Sequence, residues 1–125
     1  RRLQQEFGMS YLIITHNLPV VQHVSDRIAV MYLGRLVEQG NTHSIFKHPA
    51  HPYTKALLNA VPQPDPAKRR ELASIEGEVP SLRDRPAGCE FHPRCIYKQQ
   101  RCSQETPKSE FLSDGRSVRC HFPLV

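Results

Sequence analysis

The chain has 125 residues, of which 38% are hydrophobic and none is Trp, and its 17 Lys and Arg against 12 Asp and Glu give a formal net charge of +5. That length allows one modest domain or a part of a larger one, and the small apolar share limits the core it can bury. No apolar run approaches the ~18 residues of a membrane helix, and no signal-peptide pattern follows the charged start RRLQQEFG, so the expected setting is the reducing cytosol.

In chain order, LQQEF ending at Gly8 predicts the last turns of a helix with a glycine stop. YLIIT, residues 11–15, is an apolar run of strand formers and predicts a strand buried on both faces, as in a parallel α/β sheet. Asn17 then predicts the cap of a helix with Pro19 in its first turn and Leu18, Val21 and Val24 on one side. RIAVMYL, residues 27–33, predicts a second strand, Gly34 and Arg35 a turn, and RLVEQG, residues 35–40, an antiparallel return. Thr42 is expected to cap THSIFKH. Pro52 is expected to open a helix in HPYTKALLNAV with Tyr53, Ala56, Leu57 and Ala60 on its apolar face.

From Val61 the texture changes. VPQPDPAKRRE, with Pro62, Pro64 and Pro66 on alternating positions, predicts an extended linker, which divides the chain into 1–61 and 62–125. Beyond it, IEGEVPSL suggests a short strand and turn, and the cysteine region has little periodicity. The order helix, buried strand, helix, strand, hairpin is that of the closing edge of an α/β domain.

His16 follows the predicted buried strand directly. Ligands of open α/β sheets bind beyond the carboxyl ends of the strands, where an imidazole N–H can meet a phosphate. Position alone also allows a turn histidine satisfied by nearby carbonyls. The set YLIITHNL followed by DRIAVMYLGRLVEQG, with Asp26, Arg27, Ile28, Val30, Met31, Gly34, Val37, Glu38 and Gly40, closely resembles the tail of the nucleotide-binding subunits of ABC transporters. The resemblance implies the C-terminal edge of a P-loop ATPase domain, with His16 as the switch histidine that contacts the γ-phosphate of ATP bound with Mg2+. The phosphate loop G-x-x-x-x-G-K-[ST], the signature loop and the Walker B acidic pair are not among these residues, so this stretch alone is not expected to hydrolyse ATP.

HSIFKHPAHPYTKALLNAVPQPDP is similar to the segment after the ATPase core in dipeptide and oligopeptide importers, a branch that also contains nickel importers. Ile45, Phe46, Pro49, His51, Pro52, Tyr53, Thr54, Leu57, Leu58, Ala60 and Pro62 carry the likeness. The implied partners are a second ATP-binding subunit, membrane-embedded permease subunits and, indirectly, a peptide-binding protein, at the cytoplasmic face of the membrane. No nucleic acid is expected. His43, His48 and His51, interrupted by Pro49 and Pro52, do not form a shared ligand face.

Cys89, Cys95, Cys102 and Cys120 are spaced C-x5-C-x6-C-x17-C, looser than the paired ligands of zinc ribbons. The residues alone leave an iron–sulfur cluster, zinc, disulfides and free thiols open, with His92 and His121 as spare zinc ligands. Arg94, Arg101 and Arg119 each precede a cysteine and would favour thiolates or offset a negatively charged cluster. The importer resemblance implies a [4Fe–4S] cluster on the four cysteines, in a small loop-rich extension. The competing reading of the whole chain is a free-standing basic metal module that binds nucleic acid.

Overall fold

The computed structural model describes residues 2–61, 75 and 77–125. Helix α1, Arg2–Phe7, ends at Gly8 in the left-handed region (φ +62°), as its glycine stop requires. Residues 11–15 are not a strand. Leu12 and Ile14 are 92% and 94% exposed, and the expectation of a buried strand is corrected here. The cause is the absence of a neighbour: a strand exists only through ladder bonds to another strand, and none of the described residues offers one.

Helix α2, Leu18–Val24, starts as its sequence predicts, with Asn17 Oδ1 accepting from the Val20 N–H at 3.2 Å. Strands β1, Arg27–Tyr32, and β2, Arg35–Asn41, form the antiparallel hairpin. Its two-residue turn is Leu33–Gly34, one position earlier than expected, with φ of +47° and +77°. Two positive φ values match the right-handed twist of the flanking strands, and Leu33 accepts the strain of the first. The Arg85 guanidinium donates to the Leu33 carbonyl at 2.8 Å and holds that turn.

Helix α3, Thr42–Lys47, is capped by Asn41, whose Oδ1 accepts from the Ser44 N–H at 3.3 Å; Thr42, expected as the cap, is its first residue. Helix α4, Pro52–Asn59, is capped by the ring of His51, with Nδ1 accepting from the Tyr53 N–H at 3.0 Å. The linker expected over 61–71 lies, beyond Val61, outside the described residues. The strand expected in IEGEVPSL is not formed by its described residues.

A 3-10 turn at His92–Arg94 precedes helix α5, Gln100–Gln104. Strands β3, Glu110–Phe111, and β4, Ser117–Val118, close the chain. The sheet order is β1-β2-β4-β3, all antiparallel, so the C-terminal hairpin adds to the free edge of β2, with Glu38 opposite Val118 and Gln39 opposite Ser117. The result is a small α/β fold around an antiparallel sheet. Tyr32, Val37 and Phe91 form a core cluster on which Val30, Tyr53, Cys89 and Cys95 pack. The Tyr32, Tyr53 and Phe91 rings lie 4.7–5.3 Å apart in tilted and edge-on pairs, the arrangements that aromatic quadrupoles favour.

One buried ion pair ties these parts together. The Glu38 side chain is fully buried and accepts from the Ala50 N–H at 2.9 Å and the His51 N–H at 3.0 Å. Arg116 Nη1 lies 3.3 Å from Glu38 Oε1 and donates to the His48 carbonyl at 2.5 Å, while its Nε meets Asp114 Oδ2 at 2.7 Å. Gly40 makes room for this arginine: a Cβ there would run into the Arg116 side chain.

Glu38→Ala therefore strands a buried guanidinium and two amides, and is expected to cost about 3–5 kcal/mol. That is a large part of the ~5–15 kcal/mol that holds a domain folded. Gly40→Ala is expected to cost about 1–3 kcal/mol by overpacking. Urea unfolding and folded yield of both variants check this, and wild-type stability in either one contradicts the account.

Candidate functional site

Two places hold the chemistry-bearing side chains. The first is the loop before α2. Thr15 Oγ1 accepts from the Asn17 N–H at 3.1 Å, Asn17 caps α2, and His16 sits between them. These two short-range bonds set the backbone on both sides of the histidine. The His16 ring is exposed and, among the described residues, makes no side-chain hydrogen bond.

Around α4 and α5 lies the second. Cys89, Cys95, Cys102 and Cys120 line one small cavity together with His51 and Phe91. Local folding brings them there. The Cys89 N–H donates to the Cys102 carbonyl at 2.8 Å, and the 3-10 turn places Cys95 after Phe91. The left-handed Gly88 (φ +71°) lets the backbone pass against the Cys102 carbonyl, where a side chain would collide. The sequence singled out all four cysteines, and the structure gathers all four.

It does not make them a metal centre. Among the described residues, no group of three or more His, Cys, Asp or Glu side chains is arranged to hold a metal ion. The expectation of a [4Fe–4S] cluster, with zinc as its alternative, is corrected on that geometry. The physical reason is volume. The cavity measures about 10 Å3, space for at most one water, and cannot take a cluster of four irons. Here burial, and then repulsion between the sulfurs, pushes the Cys89 and Cys95 thiols up and the Cys120 thiol to about 11.

Two of the arginines have partners elsewhere. Arg101 turns to Glu105 at 2.8 Å, and Arg94 reaches the Ile75 carbonyl at 3.4 Å. The spare histidines are engaged as well, with His92 Nδ1 on the Cys89 carbonyl at 2.9 Å and His121 Nε2 on the Glu105 carbonyl at 2.8 Å. Cys89 and Cys95 pack on the aromatic core as small hydrophobes.

His51 is the residue whose role the sequence did not reveal. It is 1% exposed. Its Nδ1 accepts the capping bond, so the proton sits on Nε2, which points towards the backbone of Arg119 without forming a hydrogen bond. Burial, against a smaller opposing pull from that backbone, drops its pKa to about 4. A histidine directly before a helix-opening proline was the available signal.

The sign of the linkage follows. Between about pH 6.5 and 4 the unfolded chain binds a proton at His51 that the folded chain refuses. Stability therefore falls as pH drops through that window, by roughly 3 kcal/mol for this group. His51→Asn keeps an acceptor for the Tyr53 N–H and is expected to flatten that dependence. Urea unfolding of wild type and variant at pH 7 and pH 4.5 measures it, and identical slopes contradict the assignment.

With the geometry in view, the comparisons with known proteins can be given. Residues 37–102, more than half of the chain, match the family model described as the oligopeptide/dipeptide transporter C-terminal region. The chain is 50% identical over 119 residues to a probable peptide ABC transporter ATP-binding protein, y4tS, of Sinorhizobium fredii, covering 95% of the chain and 34% of that protein. It is 48% identical to the dipeptide transport ATP-binding protein DppF of Haemophilus influenzae, covering 94% of the chain and 36% of the relative. It is also 48% identical to the dipeptide transport ATP-binding protein DppD of Escherichia coli, covering 98% and 37%. The chain thus spans about a third of the length of these relatives.

Proposed function

The chain belongs to the oligopeptide/dipeptide transporter C-terminal region family, and from that premise we propose that it is the C-terminal part of the ATP-binding subunit of a peptide importer. The observation that carries this reading is the near-complete coverage of the chain by ATP-binding subunits whose names specify peptide or dipeptide transport. The exposed run at residues 11–14 supports it. An apolar segment with unpaired backbone, ending at His16, fits an internal strand whose neighbours belong to the rest of an ATPase sheet.

In that setting ATP is the substrate, and His16 is the residue that this reading assigns to its terminal phosphate. Phosphoryl transfer depends on positioning and charge stabilisation. An exposed imidazole held between Thr15 and the Asn17 cap offers a directed N–H donor to the terminal phosphate. Mg2+ bound with the nucleotide would neutralise phosphate charge. The structure-forming residues of the C-terminal hairpin would hold the edge of the ATPase unit in register with this loop.

The proposed partners are a second ATP-binding subunit, permease subunits and, through them, a peptide-binding protein. The proposed location is the cytoplasmic face of the membrane. No helix among the described residues is long and apolar enough to cross a bilayer. A nucleic-acid-binding metal module is not supported: it leaves YLIITHNL and the hairpin unexplained, and the family match is to a transporter region.

His16→Ala in the full-length subunit is expected to lower kcat for ATP hydrolysis about 100-fold, the scale of losing one directed donor at a developing charge. The KM for ATP should change little. Steady-state hydrolysis and peptide uptake by the assembled transporter are the measurements, and undiminished turnover would sink the assignment.

A further inference from the structure

We propose that Arg116 is a positioning residue for the His16 loop, acting through α3 and α2; the inference rests on the reading of His16 given above. The links are continuous. Arg116 Nη1 donates to the His48 carbonyl at 2.5 Å and the Ser44 carbonyl at 3.4 Å, and so grips the C-terminal turn of α3. The guanidinium is itself fixed, by Glu38 at 3.3 Å and by Asp114 at 2.7 Å.

At its other end α3 holds α2. The Thr42 N–H donates to the Asp26 carbonyl at 3.0 Å, and Thr42 Oγ1 meets Ser25 Oγ at 3.2 Å. Ser25 Oγ in turn donates to the Val21 carbonyl at 2.6 Å, closing the last turn of α2. The first turn of α2 is closed by Asn17, the residue after His16, through Val20 and Val21.

What gives these links their consequence is the shallow seating of α2. None of its residues is buried, and its packing among the described residues is against α3. A helix with no buried side chain takes its position from the element that hydrogen-bonds to it. α3 does have an anchored face, with Thr42 and Ile45 buried. Moving the grip of Arg116 on α3 therefore moves α2, and with it the backbone that aims His16. A C-terminal element 100 residues away in sequence becomes part of the alignment of the ATP site.

Arg116→Lys in the full-length subunit tests this. Lysine keeps a cation against Glu38 but cannot hold Asp114 and the α3 carbonyls with one planar fork. Two readouts are needed: hydrogen–deuterium exchange at the Val20, Val21 and Thr42 amides, and ATP hydrolysis with and without His16→Ala. Expected are about tenfold faster exchange and about tenfold lower kcat, as for a coupled pair of sites. The KM for ATP should be unchanged, and no further loss should appear in the His16→Ala background.

Unchanged exchange in α2, or an equal fractional loss of kcat without the His16 imidazole, overturns the proposal. Wild-type turnover in His16→Ala overturns the reading of His16 and this inference with it, even where exchange responds. If Arg116→Lys lowers folded yield, Ser25→Ala removes the side-chain part of the α2–α3 link, the Ser25–Thr42 contact and the Ser25–Val21 bond, without touching Arg116. It should give the same pattern, and failure to do so refutes the relay.

Discussion

The Glu38–Arg116 pair is the constraint on which the other contacts rest. Two charges withdrawn from water are costly unless both are fully satisfied. Here the carboxylate takes two backbone amides and a guanidinium nitrogen, and the guanidinium adds Asp114 and the His48 carbonyl. Those bonds fix the α3–α4 junction from His48 to His51. The junction sets the His51 cap, the cap starts α4, and α4 brings Tyr53 onto Tyr32 and Phe91. Phe91 then seats the chain that carries Cys89 and Cys95. A single well-satisfied ion pair thus organises a core too small in apolar content to organise itself.

The parts of this fold that were legible in the sequence are those decided by neighbours in the chain. Gly8 as a stop, Asn17 as a cap, Pro52 in a first turn and the β1–β2 hairpin each depend on a few adjacent residues. The parts that were not legible depend on distant ones. Glu38 and Arg116 are 78 positions apart, and neither letter announces the other. Strands β3 and β4 have two residues each, too short for alternation to show, and exist because β2 offers an open edge. Residues 11–15 fail in the opposite sense: strand-forming composition is present, and the pairing partner is not.

The cysteines show the same limit in chemical form. Four thiols in a loop-rich stretch at loose spacing suggest convergence, and they do converge. Spacing carries no information about the volume left between them, or about which way the preceding arginines turn. The cavity is filled by the rings and sulfurs that line it, and Arg101 leaves for Glu105. Burial is the largest influence on the Cys89, Cys95 and Cys120 thiols and outweighs the weaker pull of Lys98 on Cys95, so the thiol form is favoured there.

The two ends of the molecule are built to different standards. The C-terminal side is closed: Arg116 is paired with Glu38 and Asp114, β3 and β4 join the sheet, and the Leu124 N–H donates to the Ala50 carbonyl at 2.9 Å. The side around residues 11–24 is open, with exposed apolar side chains, a helix that buries nothing and a histidine aimed at solvent. Such asymmetry is unfavourable for an isolated unit, because exposed apolar surface and unpaired backbone both favour association. It suits the proposed edge element, whose open face would receive a sheet and a nucleotide. The closed face then acts as the rigid support against which α3, α2 and the His16 loop are held.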